Sequence, residues 1–257
     1  MVKPLQHPIV SPDPFIWVRD YALDSRFCEH VIEKFQNDEN VIQGVCGSDR
    51  TVQMIKSSRD LLIDSYDYWL DEQLTFRNVL RVALQEYVNH LQSHIVLPTF
   101  DHNDQMPYAQ FECCHGHMLD YGFQIQETKP YGSYDWHDDS SIEWNARHVR
   151  KLTYIFYLND IFDDGCTEFM NGFKVPPRQG RLVIFPATWT YMHRGGILHG
   201  TQNKYIATGW MNRDYLDPEA AVPEQDVELK DEDINELLLD YEPPLEGELQ
   251  LDETILQ

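Results

Sequence analysis

The chain has 257 residues, 42% of them hydrophobic and 12% aromatic, enough apolar material to bury an ordinary core in one large or two small domains. Its 20 Lys and Arg face 43 Asp and Glu, a formal charge of −23 that repels phosphate backbones and anionic membrane surfaces, so no nucleic-acid or membrane partner is expected. Five cysteines (Cys28, Cys46, Cys113, Cys114, Cys166) without a CxxC pair give neither a disulfide scaffold nor a zinc site, and with no signal-like or bilayer-spanning run the expected location is cytoplasmic.

In chain order, Phe15–Val18 reads as a short strand. Asp24 is placed to cap a helix running to about Phe35, in which Phe27, Val31 and Phe35 recur at helical spacing. A second helix is expected from about Asp71 to His94. Its stripe is Leu74, Val79, Leu80, Val82, Leu84, Tyr87, Val88 and Leu91, broad enough to back a sheet. From Gly122 the texture changes to short β-branched and aromatic runs: Gly122–Gln126, Val149–Leu158, Thr167–Val175, Arg181–Phe185 and Lys204–Met211. Asp163–Gly165 and Arg178–Gly180 are the turns between them. Short strands after early helices suggest an antiparallel sandwich or barrel with helices on one side. Asp214–Gln257 holds 16 of the 43 acids and only one base, Lys230. The organisation read is therefore one domain over 1–213, helical and mixed over 1–120 and β-rich over 121–213, followed by an acidic tail over 214–257. Asp231–Tyr241 could form one short helix in that tail.

The segment Tyr134-Asp135-Trp136-His137-Asp138-Asp139 carries the most chemistry. On an extended strand His137 and Asp139 share a face, about 6 to 7 Å apart at the backbone, within reach of one metal ion. Asp135 stands at the same spacing on the other side of His137, so spacing alone leaves the carboxylate open. One more imidazole completes a 2-His-1-carboxylate facial triad, the donor set that leaves coordination positions of Fe(II) free for ligand and oxygen. Cys113-Cys114-His115-Gly116-His117 is a weaker metal candidate, because adjacent cysteines do not easily serve one tetrahedral ion, and it could line a substrate entrance instead. Arg147, His148 and Arg150 read as solvated charge, with anion or peptide contact as the minor alternative.

After this segment come Arg150–Asn159 ending in Tyr-Leu-Asn, Gly165-Cys166-Thr167-Glu168-Phe169, and Pro177-Arg178-Gln179-Gly180 leading into Phe185-Pro186. His193-Arg194-Gly195 and Lys204–Trp210 complete the series. Taken together over about residues 120–212, these elements resemble the Fe(II)/2-oxoglutarate-dependent dioxygenases, in particular their prolyl 4-hydroxylase-like branch. The resemblance implies a mainly β, α+β fold: a double-stranded β-helix, the cupin-like jelly-roll, flanked by N-terminal helices. It implies His137, Asp139 and His193 as iron ligands, with His199 the alternative distal histidine. Lys204 would pair with the distal carboxylate of 2-oxoglutarate, helped by Thr208 on the same strand face and by Tyr157 of the Tyr-Leu-Asn element. Trp210 would wall the pocket, and Tyr134 would lie near cosubstrate or substrate. The cofactors implied are Fe(II), 2-oxoglutarate and O2, with ascorbate as an auxiliary reductant.

The activity implied is hydroxylation of a C–H bond coupled to conversion of 2-oxoglutarate to succinate and CO2, on prolyl residues of a protein or peptide. The alternatives are a free amino acid or other small molecule as substrate, and a cupin-like binding protein with no turnover. The His193–Lys204 interval and the missing proline after Gly195 depart from the usual pattern, so the connecting loop differs from that of relatives. Substrate choice is expected to reside in Asp101–Asp120 and Ser140–His148. The sequence leaves oligomeric state open.

Overall fold

A computed structural model of the chain describes residues 9–44, 56–94, 118–140, 148–162 and 164–214. Cys113–His117, the acidic tail with Asp231–Tyr241, and most of the two loops expected to govern substrate choice lie outside the described residues.

Strand β1 (Trp17–Arg19) leads into helix α1 (Ser25–Gln36), followed by β2 (Ile42–Gln43), β3 (Arg59–Leu62) and helix α2 (Leu70–His94). The β-rich part then gives β4 (Met118–Asp120), β5 (Gln124–Thr128), β6 (Tyr134–His137), β7 (His148–Tyr157) and β8 (Thr167–Phe169). It ends with β9 (Lys174–Val175), β10 (Leu182–Pro186), β11 (His193–Gly195) and β12 (Lys204–Asp214).

Helix α1 starts where the sequence puts its cap: Asp24 is extended, and its Oδ1 accepts from the Arg26 N–H at 2.8 Å. Cys28, Val31 and Phe35 form its buried stripe, while Phe27 is only partly buried, against Phe76. Helix α2 buries Phe76, Leu80, Ala83, Leu84, Tyr87, Val88 and Leu91, whereas the expected stripe members Leu74 and Val82 are exposed. The reason is angular: the face that meets the sheet follows 76, 80, 83, 87 and 91, and positions 74 and 82 fall off that arc at 3.6 residues per turn.

The strands form two antiparallel layers. The major sheet runs β1-β10-β7-β12-β5-β3-β2, with β4 also on β12; the minor sheet runs β6-β11-β8-β9. Alternation along each strand divides the core. Leu61, Ile125, Phe156, Ile184 and Ala207 face the helices, while Ile155, Tyr157, Val183 and Phe185 face Phe169 and Val175 of the minor sheet. This is the double-stranded β-helix with helices on one outer face.

One expectation is corrected: Thr167–Val175 is not one strand but the hairpin β8–β9, turned at Gly172, whose φ of 86° suits glycine. The N-terminal half has both expected helices and adds two strands that the sequence reading did not name: β2 and β3 extend the major sheet, and β3 hides Asp60 on the side facing the minor sheet. Among the described residues no helix is long and apolar enough to cross a membrane.

Candidate metal centre and its cavity

β6 and β11 are neighbours in the minor sheet, with His137 directly opposite His193. Each imidazole donates from Nδ1 to a backbone carbonyl two residues earlier, His137 to Asp135 at 2.7 Å and His193 to Tyr191 at 3.1 Å. That fixes the tautomer and leaves both Nε2 lone pairs free. The two Nε2 atoms converge on one carboxylate: His137 lies 3.9 Å from Asp139 Oδ1 and His193 lies 3.5 Å from Asp139 Oδ2. One donor atom from each residue falls within 4.8 Å of the others, the sole such cluster of three or more potential ligands among the described residues. Burial and the neighbouring His193 push the His137 imidazole down to about 4, against the pull of Asp139, so it is a neutral donor at pH 7. Two imidazoles with inward Nε2 atoms and a carboxylate suit a divalent first-row metal such as Fe(II).

Asp135 is exposed and its carboxylate caps the Trp136 N–H at 2.8 Å, and neither it nor His199 belongs to the cluster of His137, Asp139 and His193. Asp139 is not on the strand, because β6 stops at His137; it stands on the turn beyond, where Asp138 accepts from the Ser140 N–H at 2.9 Å. Its Oδ2 also accepts from Thr153 Oγ1 on β7 at 2.8 Å, which anchors the carboxylate from the opposite sheet. A bulge in the β6–β11 pairing sets Asp135 and Trp136 of β6 against the single residue Arg194 of β11. Tyr134 and His137, three apart, thereby share a face and stack at 3.6 Å.

Lys204 lies on β12 and is 6% exposed; its Nζ donates to the Gly165 carbonyl at 2.9 Å. A Cβ on Gly195 would be 3.5 Å from the Tyr134 Cβ and 3.7 Å from Lys204 Nζ, so the amine reaches across to β11, the strand that carries His193. Burial lowers the Lys204 ammonium to about 8. Thr208 shares its strand face, but its hydroxyl donates to the Tyr154 carbonyl at 2.8 Å rather than standing free beside the amine. The Tyr157 hydroxyl donates to Thr167 Oγ1 at 2.6 Å. Trp210 follows on the same face, and its indole N–H is buried with no hydrogen-bond partner.

Sequence reasoning missed several neighbours. Arg150, read as solvated charge, stacks on Trp210 at 3.6 Å and donates to the Asp139 carbonyl at 3.4 Å. The register Trp210–Thr153 could have brought Thr153 beside the site, but only once the β7–β12 pairing was known. Lys56 and Asp60 form a buried pair at 2.6 Å, with Lys56 Nζ 5.5 Å from the Tyr134 ring and Gln124 donating to Asp60 at 3.3 Å. With β3 unread, nothing pointed to them.

Residues 123–212 match the model of the 2OG-Fe(II) oxygenase superfamily. No curated protein sequence matches the chain. Among solved structures, a prolyl-4-hydroxylase from Pseudomonas putida is similar at 15% identity and TM-score 0.51, over 78% of this chain and 94% of that one. A Trichoplax adhaerens prolyl hydroxylase, in complex with a hypoxia inducible factor oxygen degradation domain peptide fragment, is similar at 14% identity and TM-score 0.54, over 78% and 84%. A viral collagen prolyl hydroxylase from Paramecium Bursaria Chlorella virus-1 is similar at 14% identity and TM-score 0.51, over 84% and 98%. At these identities the likeness is one of fold.

Proposed function

From the premise that residues 123–212 are a 2OG-Fe(II) oxygenase domain, which makes the chain an Fe(II)- and 2-oxoglutarate-dependent dioxygenase, we propose that it hydroxylates prolyl residues of a protein or peptide. Fe(II), when bound with 2-oxoglutarate and O2, supplies the oxidising power that turns the cosubstrate into succinate and CO2 and places an oxygen atom on a C–H bond. The observation that carries the reading is the convergence of two bare imidazole Nε2 atoms and one carboxylate, each oriented by a second hydrogen bond.

His137, Asp139 and His193 would hold the metal, and the carbonyls of Asp135 and Tyr191 with the Thr153 hydroxyl keep their donor atoms aimed. Lys204 would take the far carboxylate of 2-oxoglutarate. It is a buried cation hydrogen-bonded to the neutral Gly165 carbonyl, so an incoming anion relieves an uncompensated charge. Thr208 and Tyr157 would border that end, although both hydroxyls are engaged elsewhere in this structure. Tyr134, Arg150 and Trp210 would meet the substrate. Trp210 brings an unsatisfied N–H, Arg150 a guanidinium held flat on its ring, and both suit a peptide carbonyl as acceptor.

Two known features favour a peptidyl proline over a free metabolite: the fold is that of prolyl hydroxylases, and one of those was solved with a peptide. The test is incubation of the full chain with Fe(II), 2-oxoglutarate, ascorbate and proline-containing peptides. Succinate release together with one added oxygen atom on a prolyl residue is the expected result. Oxygen added to free amino acids alone would replace the peptide reading, and absence of any turnover would favour a cupin-like binding protein.

A further inference from the structure

Trp136, Arg194, Glu168 and Lys174 sit on the outer side of the minor sheet, back to back with the metal cluster. The register sets Arg194 opposite Glu168 and Glu168 opposite Lys174, so one residue from each of β11, β8 and β9 forms a row, and the Arg194 guanidinium stacks on Trp136 of β6 at 4.9 Å. Glu168 accepts from Arg194 Nη2 at 2.8 Å and from Lys174 Nζ at 3.0 Å. Its side chain is 15% exposed, against 42% for Arg194 and 57% for Lys174. The row therefore holds two cations to one sunken acid and turns positive charge outward on a strongly acidic protein.

Beside this row lies a cavity of about 540 Å³ lined by Trp136, Phe169, Met170, Met192 and Lys174 among others. A second, of about 350 Å³, shares Phe169, Met170 and Met192 and ends at Asp13, Asn171 and Tyr191. Met170 is 67% exposed and Trp136 38% exposed, large apolar groups left in water where the two cavities meet and at the cationic end. Methionine-walled clefts adapt to varied apolar side chains. Trp136 and Met192 each immediately precede a histidine of the metal cluster, so the groove is continuous with the strands that carry the site.

We infer that this groove docks the protein substrate away from the reacting residue, taking an extended segment that places a large apolar side chain over Met170 and an acidic residue against Lys174 and Arg194. The choice of occupant comes from charge complementarity: apolar walls with outward cations favour an acidic, apolar peptide over a basic one. This inference rests on the peptide reading given above and adds where selectivity beyond the proline is exercised.

The test uses the full chain with Fe(II), 2-oxoglutarate and synthetic proline peptides carrying, at varied distance from the proline, a Leu-Asp, a Leu-Lys or a Ser-Ser pair. The expected result is a lower KM for Leu-Asp peptides. Met170→Glu should raise that KM about ten-fold with kcat retained, and Lys174→Glu about five-fold, with Leu-Lys peptides now preferred. Lys174→Gln, which adds no repulsion towards Glu168, should lose the preference without reversing it. If peptides are hydroxylated but no pair changes KM in any variant, the groove is overturned and the activity stands. If only free amino acids are oxidised, both fall. Concentration-dependent dimerisation abolished by Met170→Glu would overturn the substrate role in favour of contact between two copies of the chain.

Discussion

Replacing Lys204 with methionine removes a buried cation while keeping most of its apolar stem. Burial lowers the ammonium from 10.5 to about 8, so the folded chain holds the proton less firmly than the unfolded one. At about 1.4 kcal/mol per unit, charged Lys204 costs the cosubstrate-free fold about 3 kcal/mol at pH 7. The residue is 6% exposed, so solvent screening gives little relief. Loss of the bond to Gly165 returns about 1 kcal/mol, leaving a net stabilisation of about 2 kcal/mol, or roughly 4 to 8 °C in Tm for a chain of this size. The sign with pH is also fixed. Because the folded pKa is depressed, the unfolded chain binds more protons between about 8 and 10.5, so this residue makes wild-type stability rise across that window. The variant should lack that rise. Differential scanning fluorimetry with Mn(II), with and without 2-oxoglutarate, measures both effects: apo Lys204→Met should melt higher and show no cosubstrate shift. A variant that melts lower and is still stabilised by 2-oxoglutarate would refute the account of Lys204 as a charge awaiting an anion.

Other outcomes follow from the same geometry. His137→Ala and Asp139→Ala should abolish Fe(II) or Mn(II) binding in equilibrium dialysis while leaving the circular dichroism spectrum intact. Thr153→Val, which frees Asp139 Oδ2, should weaken metal affinity about ten-fold, read by titration with Mn(II). His137 is depressed to about 4, so the unfolded chain binds the extra proton between about 4 and 6.5; metal-free stability should fall as pH drops through that window, and His137→Gln should flatten part of the slope in urea titrations. Gly209→Ala would drive a Cβ into the Tyr154 hydroxyl and the Gly122 carbonyl, and should cost about 2 to 3 kcal/mol in chemical denaturation.

Legibility of the sequence differed sharply by element. Helix α1 and its Asp24 cap were readable because the signals are local: a capping side chain and a repeat at helical spacing. The β-rich half was readable as short strands, and the order of linked motifs across it carried the family resemblance. β3 was not, since Arg59-Asp60-Leu61-Leu62 lacks alternation of apolar and polar residues; Asp60 is buried by Lys56, Ser58 and Gln124, partners from another strand and a connecting loop. Thr167–Val175 looked continuous because a turn at Gly172 needs only one glycine. At the site, residue spacing offered Asp135 and Asp139 equally. The fold distinguishes them: the chain leaves β6 after His137, and Asp139 Oδ2 then accepts from Thr153 on the facing sheet while Asp135 stays exposed. Arg150 looked like surface charge because a cation–π partner four strand positions before Asp214 is invisible without pairing.

The two layers are joined across their interface by an uneven set of groups. The imidazoles belong to one sheet, on β6 and β11, and the lysine ammonium belongs to the other, on β12. A small dianion held by both ends would act as a rivet through the sandwich. Amide hydrogen exchange should then slow on β6, β11 and β12 together when metal and 2-oxoglutarate are added, and metal alone should quiet only the first two.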